Sequence, residues 1–147
     1  MIVFMDKLYN YLKDWLSLQA TKVSKSGYLV VATGGLDSAL TVALALTCSV
    51  DKPATVIFMG FKPELEKILE NWIVKTFPTT RYKIVKPIHP EITFEGLDAI
   101  DKVSSFIPAY VDLYARANNS LAVGTITRSE YRIVRFFRSR IDDSFDC

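Results

Sequence analysis

Two periods alternate along this chain. Consecutive apolar, largely β-branched runs recur at residues 28–32, 54–61, 81–88 and 120–123, and each reads as a short buried strand. Between them the apolar positions fall three and four apart. Leu8, Leu12, Trp15 and Leu16 mark an amphipathic helix within residues 6–19. Residues 39–47, dense in Ala and Leu, predict a buried helix. Lys62 and Pro63 open the next helix, with the proline in its first turn, and Leu65, Ile68, Leu69, Trp72 and Ile73 give it one apolar face. Residues 101–119 carry Val103, Phe106, Ile107, Tyr110, Val111, Tyr114 and Ala117 at helical spacing, and Pro108 among them predicts a kink or a restart. Residues 89–99 have little pattern and read as a loop with a short helix. Residues 129–140 are basic and aromatic, and 142–146 form an acidic tail.

The predicted order, α-β-α-β-α-β-α-β, gives an α/β fold: a doubly wound parallel sheet of about four to five strands flanked by helices. The 147 residues suit one domain spanning the whole chain. In such sheets the ligand sits outside the carboxyl ends of the strands. The loops after Ala32, Met59, Ile88 and Val123 are therefore expected at one edge, with residues 33–38 near 124–130.

Composition narrows the class. Half of the residues are hydrophobic, ample for a core and somewhat rich for a small monomer. The net charge of +2 gives no electrostatic case for nucleic acid as a partner. Two cysteines, Cys48 and Cys147, make neither a disulfide framework nor a zinc site. No apolar run is long enough to cross a bilayer, and residues 1–5 are too short for a signal peptide. The expected location is a reducing cytoplasm. The single histidine, His89, has no identifiable partner and reads as a loop residue.

Candidate chemistry concentrates where the first strand meets its helix, at Thr33-Gly34-Gly35-Leu36-Asp37-Ser38. Strand, glycine turn and helix form a phosphate cradle: glycines let the backbone approach a ligand, and the helix start supplies free N–H donors. The turn is neither GxxxxGK[ST] nor GxGxxG. A carboxylate in a phosphate cradle repels phosphate unless a cation intervenes, which points to Asp37 and Mg2+ with Glu130 as a second carboxylate. Thr125 adds a hydroxyl, and Arg128, Arg132, Arg135, Arg138 and Arg140 could neutralise polyphosphate. From spacing alone, a plain tight turn with Asp37 complementing the helix dipole is an equally good reading.

The loop resembles the SGGxDS loop of the PP-loop ATP pyrophosphatases, and within that superfamily the chain most resembles NAD synthetase. Trp15-Leu16 is similar to the family's first helix, residues 113–118 (LYARAN) to its LYxxAN segment, and residues 121–130 (LAVGTITRSE) to its LVLGTGNKSE. The resemblance implies an adenine nucleotide alpha hydrolase-like fold and ATP and Mg2+ as cofactors. It implies ATP phosphates on Thr33, Gly34, Gly35, Asp37 and Ser38, nucleotide contact by Thr125, and metal on Asp37 and Glu130. The implied chemistry is adenylation of a small-molecule carboxylate acceptor, deamido-NAD in the family, with release of pyrophosphate and displacement of AMP by ammonia.

The sequence also departs from the family pattern. Thr33 replaces the usual serine, and Ile107 and Ala109 stand where arginines precede the LY pair. Allowing one inserted residue, Phe136-Phe137 fits the aromatic pair of the later GY/FxTKxGD segment, Asp142 its aspartate, and Arg138 lies beside the lysine position. Asp37, Arg138 and Asp142 are thus the expected catalytic residues. Family members continue well beyond this length, so the acceptor-binding half is expected to be altered or absent. Three functions follow: an amide-forming ligase of the NAD synthetase type, a nucleotide-binding or regulatory protein without turnover, and a tRNA- or base-modifying enzyme. The resemblance also implies a homodimer through residues 101–119, with Phe106, Ile107, Tyr110 and Tyr114 as the greasy face.

Overall fold

A computed structural model describes residues 2–60, 62–87 and 99–124; within the helices, side chains are described from Asp6 and from Phe106 onward. Helix α1 (Ile2–Lys22) leads into strand β1 (Gly27–Ala32), then helix α2 (Leu36–Cys48) and strand β2 (Ala54–Phe58). Helix α3 (Pro63–Thr76), a 3-10 turn (Thr79–Arg81) and strand β3 (Tyr82–Val85) follow, then helix α4 (Ala99–Ala117) and strand β4 (Ser120–Val123). The four strands form one sheet in the order β3-β2-β1-β4. All three pairings are parallel, and the register sets Val30 beside both Val56 and Val123.

The period of two along the strands divides the core between the two faces of the sheet. Tyr28, Val30, Ala32, Val56, Phe58, Leu121 and Val123 share one cluster with Leu16 and Ala20 of α1, Val42, Ala45 and Leu46 of α2, and Leu69 and Ile73 of α3. Leu29, Ile57, Met59 and Ala122 form the other cluster, with Val111 and Ala115 of α4. β1 is central and buried on both sides, which is why its sequence is an unbroken apolar run. Each of these leucines and valines taken from water stabilises the fold by about 1.5–3 kcal/mol before conformational entropy is counted.

The described sheet is therefore doubly wound, with helices on both faces. Several boundaries differ from the periodicity. α1 extends at both ends beyond residues 6–19, and α2 starts at Leu36, so Asp37 and Ser38 lie in its first turn. β2 stops at Phe58 and β3 at Val85, short of the apolar runs that predict them. Pro108 sits inside a single 19-residue helix, not at a restart. Phe106, Ile107, Tyr110 and Tyr114, the face expected to meet a second subunit, pack against the sheet cluster.

The amino edge of the sheet is tied by polar bonds. Ser26 N–H donates to Asn119 O at 2.9 Å and Asn119 Nδ2 to Ser24 O at 3.2 Å, joining the exits of α1 and α4. Residues 113–118 end α4 at this edge, where Asn118 Nδ2 donates to Tyr114 O at 2.9 Å. The carboxyl edge is built differently.

Candidate nucleotide site at the carboxyl edge

The chain moves outward from β1 to β2 and β3, then crosses to β4 on the other side of β1. The switch point of the sheet therefore lies between the carboxyl ends of β1 and β4. The turn 33–38 opens there, and the β1–β4 register brings Gly124, the last described residue, beside it. Of the second loop only Gly124 is described, one residue beyond the Val30–Val123 pair at this edge. Thr125, Glu130, Arg138 and Asp142, with the other arginines of that stretch and His89, lie outside the described residues.

Ser38 holds the turn together. Its side chain is buried, accepts hydrogen bonds from Thr33 N–H and Thr33 Oγ1 at 3.2 Å each, and donates to Gly35 O at 2.9 Å. The Ser38 hydroxyl is thus engaged within the turn, and what it offers a ligand is its backbone N–H. Gly35 is the N-cap of α2, in extended conformation and without a side chain to cap the helix. Ala39 N–H makes the first helical bond, to Gly35 O at 3.0 Å. The N–H groups of Gly35, Leu36, Asp37 and Ser38 are the four that helix geometry leaves without an intrahelical acceptor, and the N-cap brings no side chain to them. They point toward the switch point with the positive end of the helix dipole. Asp37, in the same turn, is exposed.

The two glycines differ in role. Gly34 has φ +76°, and a Cβ there would come 2.9 Å from Leu65 Cβ and 3.2 Å from Lys62 Cβ. Gly34 is therefore required by backbone conformation and by the first turn of α3 packed against it. At Gly35 a Cβ would meet only Thr33 Oγ1, at an ordinary 3.7 Å. Space remains there for another molecule to approach the backbone.

The sequence does not signal a neighbouring feature. Glu66, in the first turn of α3, is 6% exposed, and its Oε2 accepts from Gly60 N–H at 3.0 Å. Gly60 has φ +78° and turns the chain out of β2. A cavity of about 420 Å3 opens beside this turn, lined by Phe58, Met59, Pro63, Glu66 and Lys86 among others. Lys86 Nζ is paired with Glu70 Oε2 at 2.7 Å on its rim. A glycine inside the apolar run 54–61 is a signal for a strand end, since glycine weakens a strand interior.

Two groups have shifted acidity, both under α1. Burial pushes the Tyr28 hydroxyl above its ordinary value, partly offset by a hydrogen bond with Ser17. Burial likewise raises the Cys48 thiol, against the lowering effects of Ser17 and Lys13. Neither belongs to the turn. Among the described residues no cluster of three His, Cys, Asp or Glu side chains could hold a metal, and no helix is long and apolar enough to cross a membrane.

The residues present fit a phosphate with a cation beside it: a row of open N–H donors for the anion, and the exposed Asp37 carboxylate for Mg2+. No protein-family profile and no curated protein matches the chain. Solved structures do match, among them the following two. NMN synthetase from Francisella tularensis superposes with a TM-score of 0.67 at 18% identity, covering 89% of this chain. NH3-dependent NAD synthetase from Campylobacter jejuni subsp. jejuni NCTC 11168, in complex with the nitrate ion, superposes at 0.63 and 21% identity, covering 86%. This chain spans 58% of the length of each. The resemblance read from the sequence motifs thus holds at the level of the fold, the α/β adenine nucleotide alpha hydrolase-like arrangement.

Proposed function

We propose that the chain binds ATP with Mg2+ on the turn between β1 and α2 and acts as an ATP-dependent carbon–nitrogen ligase in the cytoplasm. In this reading the phosphates rest on the N–H groups of residues 34–38, and Asp37 and Glu130 hold the metal, which supplies charge neutralisation. Thr125 contacts the nucleotide, and Arg138 and Asp142 serve the reacting groups from the following stretch. A carboxylate oxygen of a small-molecule acceptor, deamido-NAD by resemblance, attacks the α-phosphorus. The bond to the β-phosphate oxygen breaks and pyrophosphate leaves. Ammonia then attacks the acyl carbon and AMP departs. Fixed N–H donors lower the barrier because they face the charge that develops on the phosphate oxygens.

The observation that carries the reading is the row of unspent N–H groups behind Gly35, at the switch point of the sheet and beside an exposed carboxylate. Calorimetry should find ATP–Mg2+ binding that Asp37→Ala weakens by about tenfold, the worth of one charge-assisted contact. Mass spectrometry of pure protein with ATP, Mg2+, ammonia and deamido-NAD should find AMP and pyrophosphate. ATP bound but returned intact across carboxylate acceptors would make this a nucleotide-binding protein without turnover. No ATP binding at millimolar nucleotide sinks both.

A further inference from the structure

α3 begins against the open turn, and it begins with a residue that helix energetics does not select. Its first helical residue is Pro63, its N-cap is Lys62, and no side chain caps it. Ser, Thr, Asp and Asn are preferred at that place, because their side chains accept from an otherwise unpaired N–H. A cation is disfavoured there, because the helix start already carries partial positive charge. Lys62 is exposed and joins no ion pair among the described residues, where the pairs are Lys86–Glu70 and Arg116–Asp112. The carboxylate one turn on, Glu66, is buried and accepts from Gly60 N–H. A local rule broken without a compensating contact is what a functional site leaves in a sequence.

The position of Lys62 supplies the compensation. Its Cβ lies 3.2 Å from where a Cβ on Gly34 would stand, so the lysine stem starts against the backbone of the turn 33–38. Asp37 of that turn is likewise exposed and outside any ion pair among the described residues. We propose that Lys62 is a phosphate-binding cation of this site, contacting the β- and γ-phosphates of a nucleoside triphosphate and the pyrophosphate they become. The assignment rests on the nucleotide reading above. α3 walls the turn at Gly34, whereas the turn is open at Gly35. The α-phosphorus needs the open side, because the acceptor carboxylate has to reach it in line with the leaving oxygen. The terminal phosphates then fall to the wall, where the lysine is rooted. As the bond to the β-phosphate oxygen breaks, charge gathers on the departing pyrophosphate, and an ammonium on a flexible stem can follow it. Two charges thus divide the work at the turn: the Asp37 carboxylate takes the metal and the Lys62 ammonium takes phosphate.

Calorimetry with ATP–Mg2+, pyrophosphate–Mg2+ and AMP tests the assignment. Lys62→Gln should weaken ATP and pyrophosphate binding about tenfold, as loss of one charge-assisted contact does, and leave AMP within about twofold. Lys62→Arg should stay within about threefold of wild type for all three, because the charge remains. The melting temperature of Lys62→Gln should be unchanged or slightly raised, since a cation leaves a helix start. In the wild-type chain, acetylation by a succinimidyl ester, read by mass spectrometry, should be slowed by pyrophosphate at Lys62 and not at the exposed Lys75. That measurement needs no variant and decides the matter if Lys62→Gln fails to fold. Equal ATP affinity in wild type and Lys62→Gln, or acetylation of Lys62 indifferent to pyrophosphate, overturns the assignment and leaves the nucleotide reading standing. A loss equal for ATP and AMP makes Lys62 a structural part of the α3 start, which also overturns it. A wild-type chain that binds neither ATP nor pyrophosphate overturns the nucleotide reading and the assignment together.

Discussion

Gly34 and Gly60 adopt nearly the same conformation, φ +76° and +78°, at the ends of neighbouring parallel strands. Each turns its strand toward a helix. After β2, the Gly60 N–H is taken by Glu66 Oε2 from α3, so that turn is closed by its own helix. After β1, a buried hydroxyl closes the turn from inside: Ser38 bonds Thr33 and Gly35 and leaves the N–H groups of the first turn of α2 unspent. A glycine at the carboxyl edge is thus not in itself a ligand site. What separates a binding turn from a structural one is whether its donors are already used, and which side chains use them.

The largest test of this difference is Gly34→Ala. The left-handed conformation costs a residue with a Cβ about 1–2 kcal/mol, and the methyl would sit 2.9 Å from Leu65 Cβ, an atom fixed by the α3 backbone. A total loss of about 2–4 kcal/mol in urea unfolding is expected. A loss under about 1 kcal/mol would mean that α3 does not buttress the turn. Glu66→Ala comes next, at about 2 kcal/mol, because it removes a charged acceptor and leaves a small void. Its nucleotide affinity should stay within about twofold of wild type, since the Gly60 turn is closed to ligand. A tenfold loss of affinity without unfolding would make the two turns one site. Ser38→Ala is expected to cost about 1–2 kcal/mol, the worth of a buried hydroxyl with three partners. It should also weaken ATP binding by loosening the turn. Unchanged binding would show that the cradle does not depend on this hydroxyl.

These residues also mark what the sequence could disclose. β4 was legible to the residue, and the parallel sheet followed from apolar runs alternating with helical spacing, because burial on two faces leaves that imprint. The turn 33–38 was legible as a glycine turn joining a strand to a helix, while spacing alone left a phosphate cradle and a plain tight turn equally good readings. Glu66 was not legible. Among Glu64, Glu66 and Glu70 it looks like one more surface charge, and only the bend at Gly60 makes it a buried acceptor. α1 read as a single apolar face because Leu8, Leu12, Trp15 and Leu16 satisfy helical spacing together. Packing against α2 divides them, burying Leu16 and leaving Trp15 on the outer face. Pro108 allowed a kink or a restart, and the helix runs through it without restarting; packing of its flanks on the sheet outweighs one missing hydrogen bond.

The smallest effect on stability is expected at Gly35, and it bears most directly on what the open turn is for. Its conformation, φ −84° and ψ 162°, is open to any residue, and an added Cβ would meet only Thr33 Oγ1 at 3.7 Å. Gly35→Ala should therefore change unfolding free energy by about 1 kcal/mol or less, since Ala is a poorer N-cap than Gly by roughly that much and its smaller unfolded-state entropy offsets part of the loss. The methyl would nevertheless stand where a phosphate must come against the first N–H groups of α2. ATP affinity should fall by about tenfold or more, with the melting temperature moved by only a few degrees. Gly34→Ala has the opposite signature, stability first and binding through it. Equal ATP affinity in Gly35→Ala and wild type would place the phosphates elsewhere on the edge. The contrast between an open and a closed glycine turn would then be one of hydrogen bonding alone, without a ligand behind it.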